Sequence, residues 1–291
     1  MFFQTDPLPN SGTAVKLCQV ASPGIISLQM ANTQDFQDKW ALVTGASSGI
    51  GAALARELAS RGANLILTAR RRERLDLLAA ELSQKGTQTR IVIADLNDPA
   101  APQQIYDATE GAGLAVEILI NNAGLGLYGA FCAGDAEQEI SQVRVNCEAV
   151  VRLSRLFVPR MVERRRGWVL VVASTASYQP IPYLTTYAAT KVFDRFFAEG
   201  LAAEVAGYGV NVTALCPGPT ESEFFDVAGA STFKRAVQPT ADVARLAISA
   251  LTRGKRTIIP NAAGSIGALA VRFLPGGMVT GMLEKLARPK K

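Results

Sequence analysis

The stretch Trp40–Gly51, which reads WALVTGASSGIG, joins a short apolar run to three closely spaced glycines. The run Trp40–Thr44 is typical of a buried strand, and the segment after the glycines is amphipathic, with Leu54 and Leu58 on one face. Glycines at a strand-to-helix turn let the backbone approach a pyrophosphate closely, and the start of a helix favours its negative charge. The spacing is G-x-x-x-G-x-G rather than the commoner dinucleotide fingerprint G-x-G-x-x-G, so a tight turn of small residues stays open as an alternative.

The alternation of strand and helix continues along most of the chain. Apolar runs predict strands at Trp40–Thr44, Asn64–Ala69, Ile91–Ala94, Val116–Ile120, Trp168–Ala173, Val210–Leu215 and Thr257–Ile259. Helical periodicity predicts intervening helices, among them Gln103–Glu110, Ala136–Glu163, Leu184–Ala206 and Ala241–Thr252. Strands that are apolar throughout and alternate with helices form parallel sheets with both faces covered. We therefore predict an α/β fold with a doubly wound parallel sheet of the Rossmann type, in a single domain.

The two ends of the chain differ in composition from this central part. Residues 1–38 contain scattered prolines, glycines and serines without sustained periodicity, which predicts a flexible N-terminal leader. Residues 39–260 are predicted to form the dinucleotide-binding catalytic domain, and residues 261–291 an apolar and basic C-terminal extension.

The C-terminal extension is apolar without having the pattern of a membrane-spanning helix. Its stretch Ala262–Leu283 is interrupted by Arg272 and Pro275, which indicates a surface-packed or interfacial element. The apolar residues that recur there at helical spacing, with basic residues opposite them, are Met278, Met282 and Leu286. We expect this face to pack on a neighbouring subunit, with contact to a membrane surface as the less favoured alternative.

Composition excludes several classes of function. Hydrophobic residues make up 48% of the 291 residues and charged residues 19%, which is typical of a soluble globular protein. The net charge of +5 is not concentrated in one segment, so we predict no nucleic-acid partner. The absence of histidine excludes Ser-His-Asp and Cys-His hydrolases and imidazole-bound zinc. The four cysteines include no C-x-x-C pair, so we predict no disulfide framework, no metal site, and a reducing, cytoplasmic location.

Three motifs occur in an order that carries a family resemblance. They are the glycine loop Thr44–Gly51, the segment Asn121–Gly124 (NNAG) and the pair Tyr187-x-x-x-Lys191. Over residues 38–260 the chain resembles the short-chain dehydrogenase/reductase family. The details of Leu65–Arg72 and Cys216–Phe225 are similar to its NADP-preferring subgroup of general bacterial reductases and long-chain 3-oxoacyl reductases.

In that family the glycine loop binds the cofactor pyrophosphate, and the NNAG segment lies beside the cofactor. The resemblance further implies that Asp95 and Leu96 lie at the adenine. It also implies that Thr220 and Ser222 face the nicotinamide carboxamide, although the second position is more often threonine. The predicted cofactor-binding residues are Gly45, Ser47, Ser48, Gly49, Ile50, Gly51, Arg70, Arg71, Asp95, Leu96, Asn122, Ala123, Gly124, Tyr187, Lys191, Pro217, Gly218, Thr220 and Ser222.

The end of the second strand indicates which nicotinamide dinucleotide is bound. An acidic residue there would bond the ribose 2′-hydroxyl and repel a 2′-phosphate, but the chain has Ala69 followed by Arg70 and Arg71. A guanidinium at this point binds a phosphate by its charge and by bidentate hydrogen bonds. We therefore predict NADP(H) rather than NAD(H). The alternative is that Arg70–Arg72 only solvate a helix start, which the helix dipole slightly disfavours.

Tyr187 and Lys191 form the predicted chemical centre. They lie four residues apart in a predicted helix, so their side chains share one face. A phenol with a pKa of about 10 exchanges protons poorly near neutrality, and a neighbouring ammonium lowers that pKa. The resemblance implies that Tyr187 is the general acid/base and that Lys191 lowers its pKa and holds the nicotinamide ribose. It also implies that Ser174 bonds the substrate oxygen and that Asn146 positions a water.

The Tyr-x-x-x-Lys spacing has a plainer interpretation as well. Taken alone, such a pair more commonly marks the amphipathic surface of a helix. Ser174 alone could be a strand-end turn former, and Asn146 a hydrogen bonder inside a helix. The joint spacing of these residues with the glycine loop favours the catalytic interpretation.

The segment 221–238 is predicted to form a substrate loop. Its aromatic residues, among them Phe224, Phe225 and Phe233, indicate a lid over an apolar substrate, or alternatively a loop packed down on the protein. The residues expected on the opposite wall are Tyr178, Ile181, Pro182 and Tyr183. We predict an enzyme that reduces an apolar ketone or aldehyde with NADP(H), with alcohol oxidation and a sensor without turnover as alternatives. The resemblance implies a homodimer or homotetramer formed through the two longest predicted helices.

Overall fold

A seven-stranded parallel sheet forms the centre of the computed structural model, which describes residues 36–224, 228–230, 237–271 and 273–289. The strands are β1 (Trp40–Thr44), β2 (Asn64–Ala69), β3 (Thr89–Ile93), β4 (Val116–Asn121), β5 (Gly167–Val172), β6 (Val210–Leu215) and β7 (Thr257–Ile258). Their order is β3-β2-β1-β4-β5-β6-β7, and each neighbouring pair is parallel. The predicted doubly wound sheet is confirmed.

Helices cover both faces of the sheet. They are α1 (Gly49–Ser60), α2 (Arg72–Ser83), α3 (Ala101–Asp107), α4 (Ala136–Val143), α5 (Ala149–Glu163), α6 (Thr185–Val205), α7 (Thr240–Thr252), α8 (Ala262–Val271) and α9 (Gly276–Ala287). One core forms where α1, α2 and α7 pack on the sheet, and a second where α3, α5 and α6 pack on its other face. Leu54 and Leu58 of α1 are fully buried, and each contributes roughly 1.5–3 kcal/mol relative to an exposed side chain.

The long helix predicted over Ala136–Glu163 is interrupted by a π turn. Helix α4 ends at Val143, the π turn covers Arg144–Glu148, and α5 follows without a break. Within this turn Asn146 is completely buried, and its side chain bonds to backbone atoms of another segment. Because π turns inside helices commonly mark functional positions, the irregularity draws attention to Asn146.

The packed domain begins before residue 39, where the sequence placed the end of the leader. Phe36 is completely buried, and its ring lies edge-on against Trp168 with 5.3 Å between the ring centroids. The Asp38 amide also donates to the carbonyl of Gly62 at 3.0 Å. These contacts remove residues 36–38 from the predicted flexible leader, and the rest of that prediction, residues 1–35, lies outside the described residues.

The C-terminal extension folds into helices α8 and α9. One face of α9 is packed on the domain, where Val279 and Ala287 are buried. Its opposite face is exposed at Met278, Met282 and Leu286. In the part of the chain that the structure describes, no helix is both long enough and apolar enough to cross a membrane.

Candidate active site

A cleft of about 560 Å³ opens along the carboxyl edge of the sheet, where the strand order reverses between β1 and β4. Ligands of open α/β sheets bind at such a reversal. The cleft is lined by every residue predicted from the sequence to bind the cofactor, and by Ser174 as well. Of the predicted site residues only Asn146 is absent from the lining.

The glycine loop is packed too tightly to accept side chains. Gly45 and Gly49 adopt φ values of +65° and +55°, which residues with a Cβ rarely adopt. A Cβ at Gly51 would lie 2.3 Å from the carbonyl oxygen of Gly45. The loop leads into α1, whose first backbone N–H groups have no partner within the helix and are suited to an anion. The glycine loop and the start of α1 therefore form a site that fits a dinucleotide pyrophosphate.

Thr44 and Asn122 join the glycine loop to the neighbouring strand β4. The Thr44 hydroxyl accepts hydrogen bonds from the amides of Asn122 and Ala123 at 2.9 and 3.0 Å. In return the Asn122 side chain donates to the carbonyl of Thr44 at 2.8 Å. This reciprocal bonding holds the two sides of the cleft together. Asn121, the preceding residue, is instead buried and turns its amide to Ser154 of α5 at 3.2 Å.

A cluster of arginines lies at the end of β2. Arg71 donates to the hydroxyls of Ser47 and Ser48 in the glycine loop, with N–O distances of 2.9–3.3 Å. It also forms an ion pair with Glu223 at 2.9 Å, and Arg74 approaches the same carboxylate at 2.5 Å. The pKa of Glu223 lies below its usual range because both guanidinium groups hydrogen-bond to it.

Arg70 and Asp95 lie on the other side of this cluster. Their charged groups are 3.9 Å apart, and both side chains are at least half exposed. The carboxylate of Asp95 also accepts a hydrogen bond from the Asn97 amide at 3.0 Å. Both residues therefore remain at the surface of the cleft, within reach of a ligand.

Tyr187 and Lys191 come from the same face of α6, as the spacing predicted. The Lys191 ammonium lies 5.9 Å from the centroid of the Tyr187 ring and donates to the carbonyl of Val172 at 2.8 Å. Burial raises the pKa of the Tyr187 phenol above its ordinary value, while Lys191 and the Ser174 hydroxyl act to lower it. The effect of the ammonium has the predicted sign, but burial outweighs it.

Asn146 lies behind the cleft wall rather than in it. Its side-chain oxygen accepts from the Leu125 amide at 2.8 Å, and its nitrogen donates to the Leu125 carbonyl at 2.9 Å. The same nitrogen donates to the Thr190 hydroxyl of α6 at 2.9 Å. A Cβ placed on Gly124 would lie 3.5 Å from the Asn146 oxygen and 3.4 Å from the Lys191 ammonium. Both groups therefore lie directly behind Gly124, which itself lines the cleft.

Comparison with known proteins identifies the family. Residues 39–231 match the family model for short chain dehydrogenases. The chain belongs to the short-chain dehydrogenase/reductase family. It is therefore an oxidoreductase with a Rossmann-type, nucleotide-binding fold.

Individual relatives of this dehydrogenase/reductase differ in their cofactor. The chain is 36% identical over 185 residues to the very-long-chain 3-oxoacyl-CoA reductase of Anas platyrhynchos. The match covers 61% of this chain and 58% of that protein, which is less than two thirds of the relative's length. A solved short-chain dehydrogenase from Sphingobium yanoikuyae, in complex with NADPH, is 31% identical with a TM-score of 0.74, over 87% of this chain and 98% of that one. A short-chain dehydrogenase/reductase from Burkholderia phymatum, in complex with NAD, is 25% identical with a TM-score of 0.76, over 81% and 93%. A nicotinamide cofactor is thus supported.

The substrate end of the cleft of this dehydrogenase/reductase departs in part from the sequence-based expectation. Phe224 lines the cleft and its ring lies 5.1 Å from that of Tyr187, whereas Phe225, Val227 and Phe233 lie outside the described residues. On the opposite wall, Ile181 lines the cleft. Three neighbours of Ile181 that were expected beside it are not part of the lining, namely Tyr178, Pro182 and Tyr183.

Three residues that the sequence analysis missed bear on this site. Leu283 of α9 lines the cleft, although it follows the last strand by more than twenty residues. Glu223 pairs with the arginine cluster, and Asp194 pairs with Lys191 at 2.9 Å. Asp194 could have been found as an acidic residue one helical turn after Lys191. No local signal marked Leu283 or Glu223, because their contacts depend on how distant segments meet.

Proposed function

We propose that this dehydrogenase/reductase uses NADP(H) to reduce an apolar ketone or aldehyde to the alcohol, with Tyr187 as the proton donor. The observation that carries the proposal is the convergence of Ser174, Tyr187 and Lys191 on the same cleft as the glycine loop. A binding protein without turnover would not need a phenol in the cleft and a buried ammonium beside the glycine loop.

The preference for NADP(H) rests on charge. Arg70, Arg71 and Arg74 follow or lie close to the end of β2, and Ala69 stands where a carboxylate would repel a 2′-phosphate. Arg71 is already directed at the glycine loop, so a phosphate on the adenosine ribose would meet a positioned guanidinium. The NADPH complex of the Sphingobium yanoikuyae relative agrees with this preference, while the NAD complex of the Burkholderia phymatum relative shows that the fold alone does not decide it.

The residues of the site divide the proton chemistry among them. When bound, the nicotinamide supplies the hydride that reaches the carbonyl carbon. Tyr187 donates its phenolic proton to the carbonyl oxygen, where negative charge develops, and Ser174 donates a hydrogen bond to the same oxygen. Lys191 then stabilises the tyrosinate by its charge, and Asn146 holds a water through which the proton is replaced.

The substrate class is inferred from the apolar wall of the cleft. Phe224, Ile181, Leu184 and Leu283 line the end beside Tyr187, and none of them can hydrogen-bond a sugar hydroxyl through its side chain. The similarity to very-long-chain 3-oxoacyl-CoA reductases supports a ketone carried on an acyl chain, as one member of this class. We infer that specificity is set by shape and apolar contact.

The test of this proposal is NADPH consumption with a panel of aliphatic, cyclic and aromatic ketones and aldehydes, including a 3-oxoacyl thioester. We expect turnover of apolar members and none of sugars. NADPH binding without turnover of any member would favour the sensor, and faster oxidation of the alcohols at cellular cofactor ratios would favour the reverse reaction.

The cofactor preference has a separate test. Exchange of Arg70 for aspartate places a carboxylate where it repels the 2′-phosphate and bonds a ribose hydroxyl, so R70D is expected to move the preference from NADPH toward NADH. The measurement is kcat/KM for each cofactor with one ketone of the panel. Equal kcat/KM for both cofactors in the unmutated protein would refute the preference.

A cytoplasmic location, a flexible leader and a homodimer or homotetramer remain predictions.

A further inference from the structure

A buried carboxylate lies directly against the lysine of the proposed chemical centre. Asp194 follows Lys191 by three residues in α6, and its Oδ2 accepts a hydrogen bond from the Lys191 ammonium at 2.9 Å. The side chains are 6% and 1% exposed for Lys191 and Asp194, respectively, so the pair is shielded from water. The second carboxylate oxygen, Oδ1, has no hydrogen-bond partner among the described residues.

We propose that Asp194 is a positioning residue that keeps both protons on the Tyr187–Lys191 pair near neutral pH and thereby poises the site for reduction. The inference deepens the proposed function and rests on it, because the doubly protonated pair is the form that donates a proton to a carbonyl oxygen. The singly deprotonated pair, with tyrosinate beside ammonium, is the form that accepts a proton from an alcohol.

The first support comes from the cost of burying charge. An ammonium in a water-excluded site tends to lose its proton unless an opposite charge accompanies it. Burial is the strongest influence on the pKa of Lys191 and lowers it, but Asp194, with smaller contributions from Tyr187 and Cys147, offsets burial, so that this pKa lies above its ordinary value. A buried ion pair rarely adds much stability over apolar side chains, so a role in holding Lys191 charged explains it better than a role in folding.

The second support is geometric. The ammonium has three donors, and two of them are fixed by the Val172 carbonyl and by Asp194 at 2.8 and 2.9 Å. One donor therefore remains for the cleft, in a direction set by the other two. Asp194 thus orients Lys191 as well as charging it.

Few other charged groups face this pair from the elements packed against it. Cys147 of the π turn is close enough to interact with both Lys191 and Asp194, but burial raises its pKa to about 12, so it is neutral near pH 7. Arg195, which follows Asp194 in α6, pairs instead with Glu199 at 3.3 Å and donates to the carbonyl of Ser177. The carboxylate of Asp194 is itself pulled in two directions, since burial raises its pKa and the ammonium lowers it.

Removal of the carboxylate should release the protons at lower pH. A negative charge near a titrating pair holds protons on it, and the pair loses them in two coupled steps. In Asp194→Asn both steps are expected to move to lower pH by about one pH unit. Both limbs of the pH profile of alcohol oxidation should shift to lower pH. The reduction rate should also begin to fall at a lower pH than in the unmutated enzyme.

The experiment needs a reading that does not depend on turnover. Tyrosinate absorbance of the cofactor-free protein is followed against pH, and the curve of Tyr187→Phe is subtracted to isolate Tyr187. Asp194→Asn keeps the shape of the side chain, and Asp194→Glu should restore most of the original midpoint. The matched control is Asp242→Asn. Asp242 forms an ion pair with Arg245, three residues away as in the Lys191–Asp194 pair, but this pair is exposed.

The expected result is a lower midpoint for Tyr187 in Asp194→Asn and no change in Asp242→Asn. An unchanged or higher midpoint overturns the inference, and so does lost activity with an unchanged titration, which would mark Asp194 as structural. A shifted titration in a protein that turns over no ketone would instead contradict the proposed function and leave the role of Asp194 standing.

Discussion

The hydroxyl of Tyr187 is subject to opposing influences that decide when it carries its proton. Burial raises its pKa, whereas the Lys191 ammonium and the Ser174 hydroxyl lower it. The net direction of the pKa is upward, so the phenol stays protonated at neutral pH. This state suits a proton donor and disfavours a proton acceptor.

Reduction and oxidation should therefore respond to pH in opposite ways. Reduction needs the phenol, so its rate is expected to stay level through neutral pH and to fall in alkaline solution. Oxidation needs the tyrosinate, so its rate should rise with pH. Tyr187→Phe should lower kcat for both directions by about 10²–10⁴-fold and change the NADPH dissociation constant far less. Initial rates and calorimetric titration check these outcomes, and a level pH profile for both directions would contradict the assignment of Tyr187.

Individual site residues could be predicted from the sequence where a motif sets their spacing. Tyr187 and Lys191 share a helix face by periodicity alone, and Ser174 ends an apolar strand. The position of Asn146 behind the cleft could not be predicted, because it depends on bonds to Leu125 across the chain. Asp194 was also missed, although its spacing of three residues from Lys191 in α6 places both side chains on one helix face.

The glycine loop is the element whose geometry tolerates least change. A Cβ at Gly51 would lie 2.3 Å from the Gly45 oxygen and 2.5 Å from the Asn122 side-chain nitrogen. Gly51→Ala should therefore displace the loop, lower the free energy of unfolding by about 1–3 kcal/mol and weaken NADPH binding. Chemical denaturation and calorimetric titration measure the two effects.

Helix α8 offers a matched control for this exchange. Gly267 is exposed and has no atom within 4 Å of the position of a Cβ. Gly267→Ala should stabilise the protein by roughly 0.5–1 kcal/mol, because alanine loses less conformational freedom than glycine in a helix. Comparable losses in both variants would show that the tight contact at Gly51 is not the cause.

Glu223, in the segment after β6, contacts arginines at the start of α2 and should therefore affect the binding of the cofactor's 2′-phosphate. Its carboxylate lies on Arg71 and Arg74, which we propose as part of the 2′-phosphate site. A dianionic phosphate bound at these arginines must either displace this carboxylate or be repelled by its negative charge. Glu223→Gln should therefore strengthen binding of 2′,5′-ADP by about two- to fivefold and leave 5′-AMP unchanged.

The control for this experiment is the nearby Glu221→Gln. Glu221 has the same charge, is exposed, and forms no ion pair with the residues that the structure describes. Equal effects of the two exchanges would indicate a general change in charge. Weaker binding of 2′,5′-ADP in the Glu223 variant would show that the carboxylate assists the phosphate site.

Strands and helices were predictable to different degrees. The bounds of β1, β2 and β6 coincide with their apolar runs, because these strands are buried on both faces. Strand β3 begins at Thr89 rather than at Ile91, since it is an edge strand that pairs with β2 while remaining half exposed. The π turn at Arg144–Glu148 had no signal in the periodicity, which continues through it.

The shape of the whole cleft depends on a helix from the far end of the chain. Helix α9 is fastened by the Tyr183 hydroxyl, which donates to Glu284 at 3.0 Å, and by the Tyr128 hydroxyl, which donates to the Ala287 carbonyl at 2.8 Å. Leu283, directly before Glu284, lines the cleft. The sequence predicted an amphipathic C-terminal segment, but its place at the substrate end follows from these distant contacts.

Leu283 and its neighbour Met282 allow this arrangement to be tested within one turn of α9. Leu283→Ala removes apolar surface from the cleft, and we expect KM for a long apolar ketone to rise about tenfold, since one large aliphatic side chain contributes roughly 1.5–3 kcal/mol when fully buried. Met282 is 55% exposed on the opposite face, so Met282→Ala should leave KM unchanged. The NADPH dissociation constant should stay constant in both variants, because the glycine loop and the arginine cluster lie on other elements. Steady-state kinetics with a short and a long ketone separates the outcomes. Only KM for the long ketone should rise in Leu283→Ala. An equal rise in KM for both ketones would mean that α9 supports the fold of the cleft without contacting the substrate.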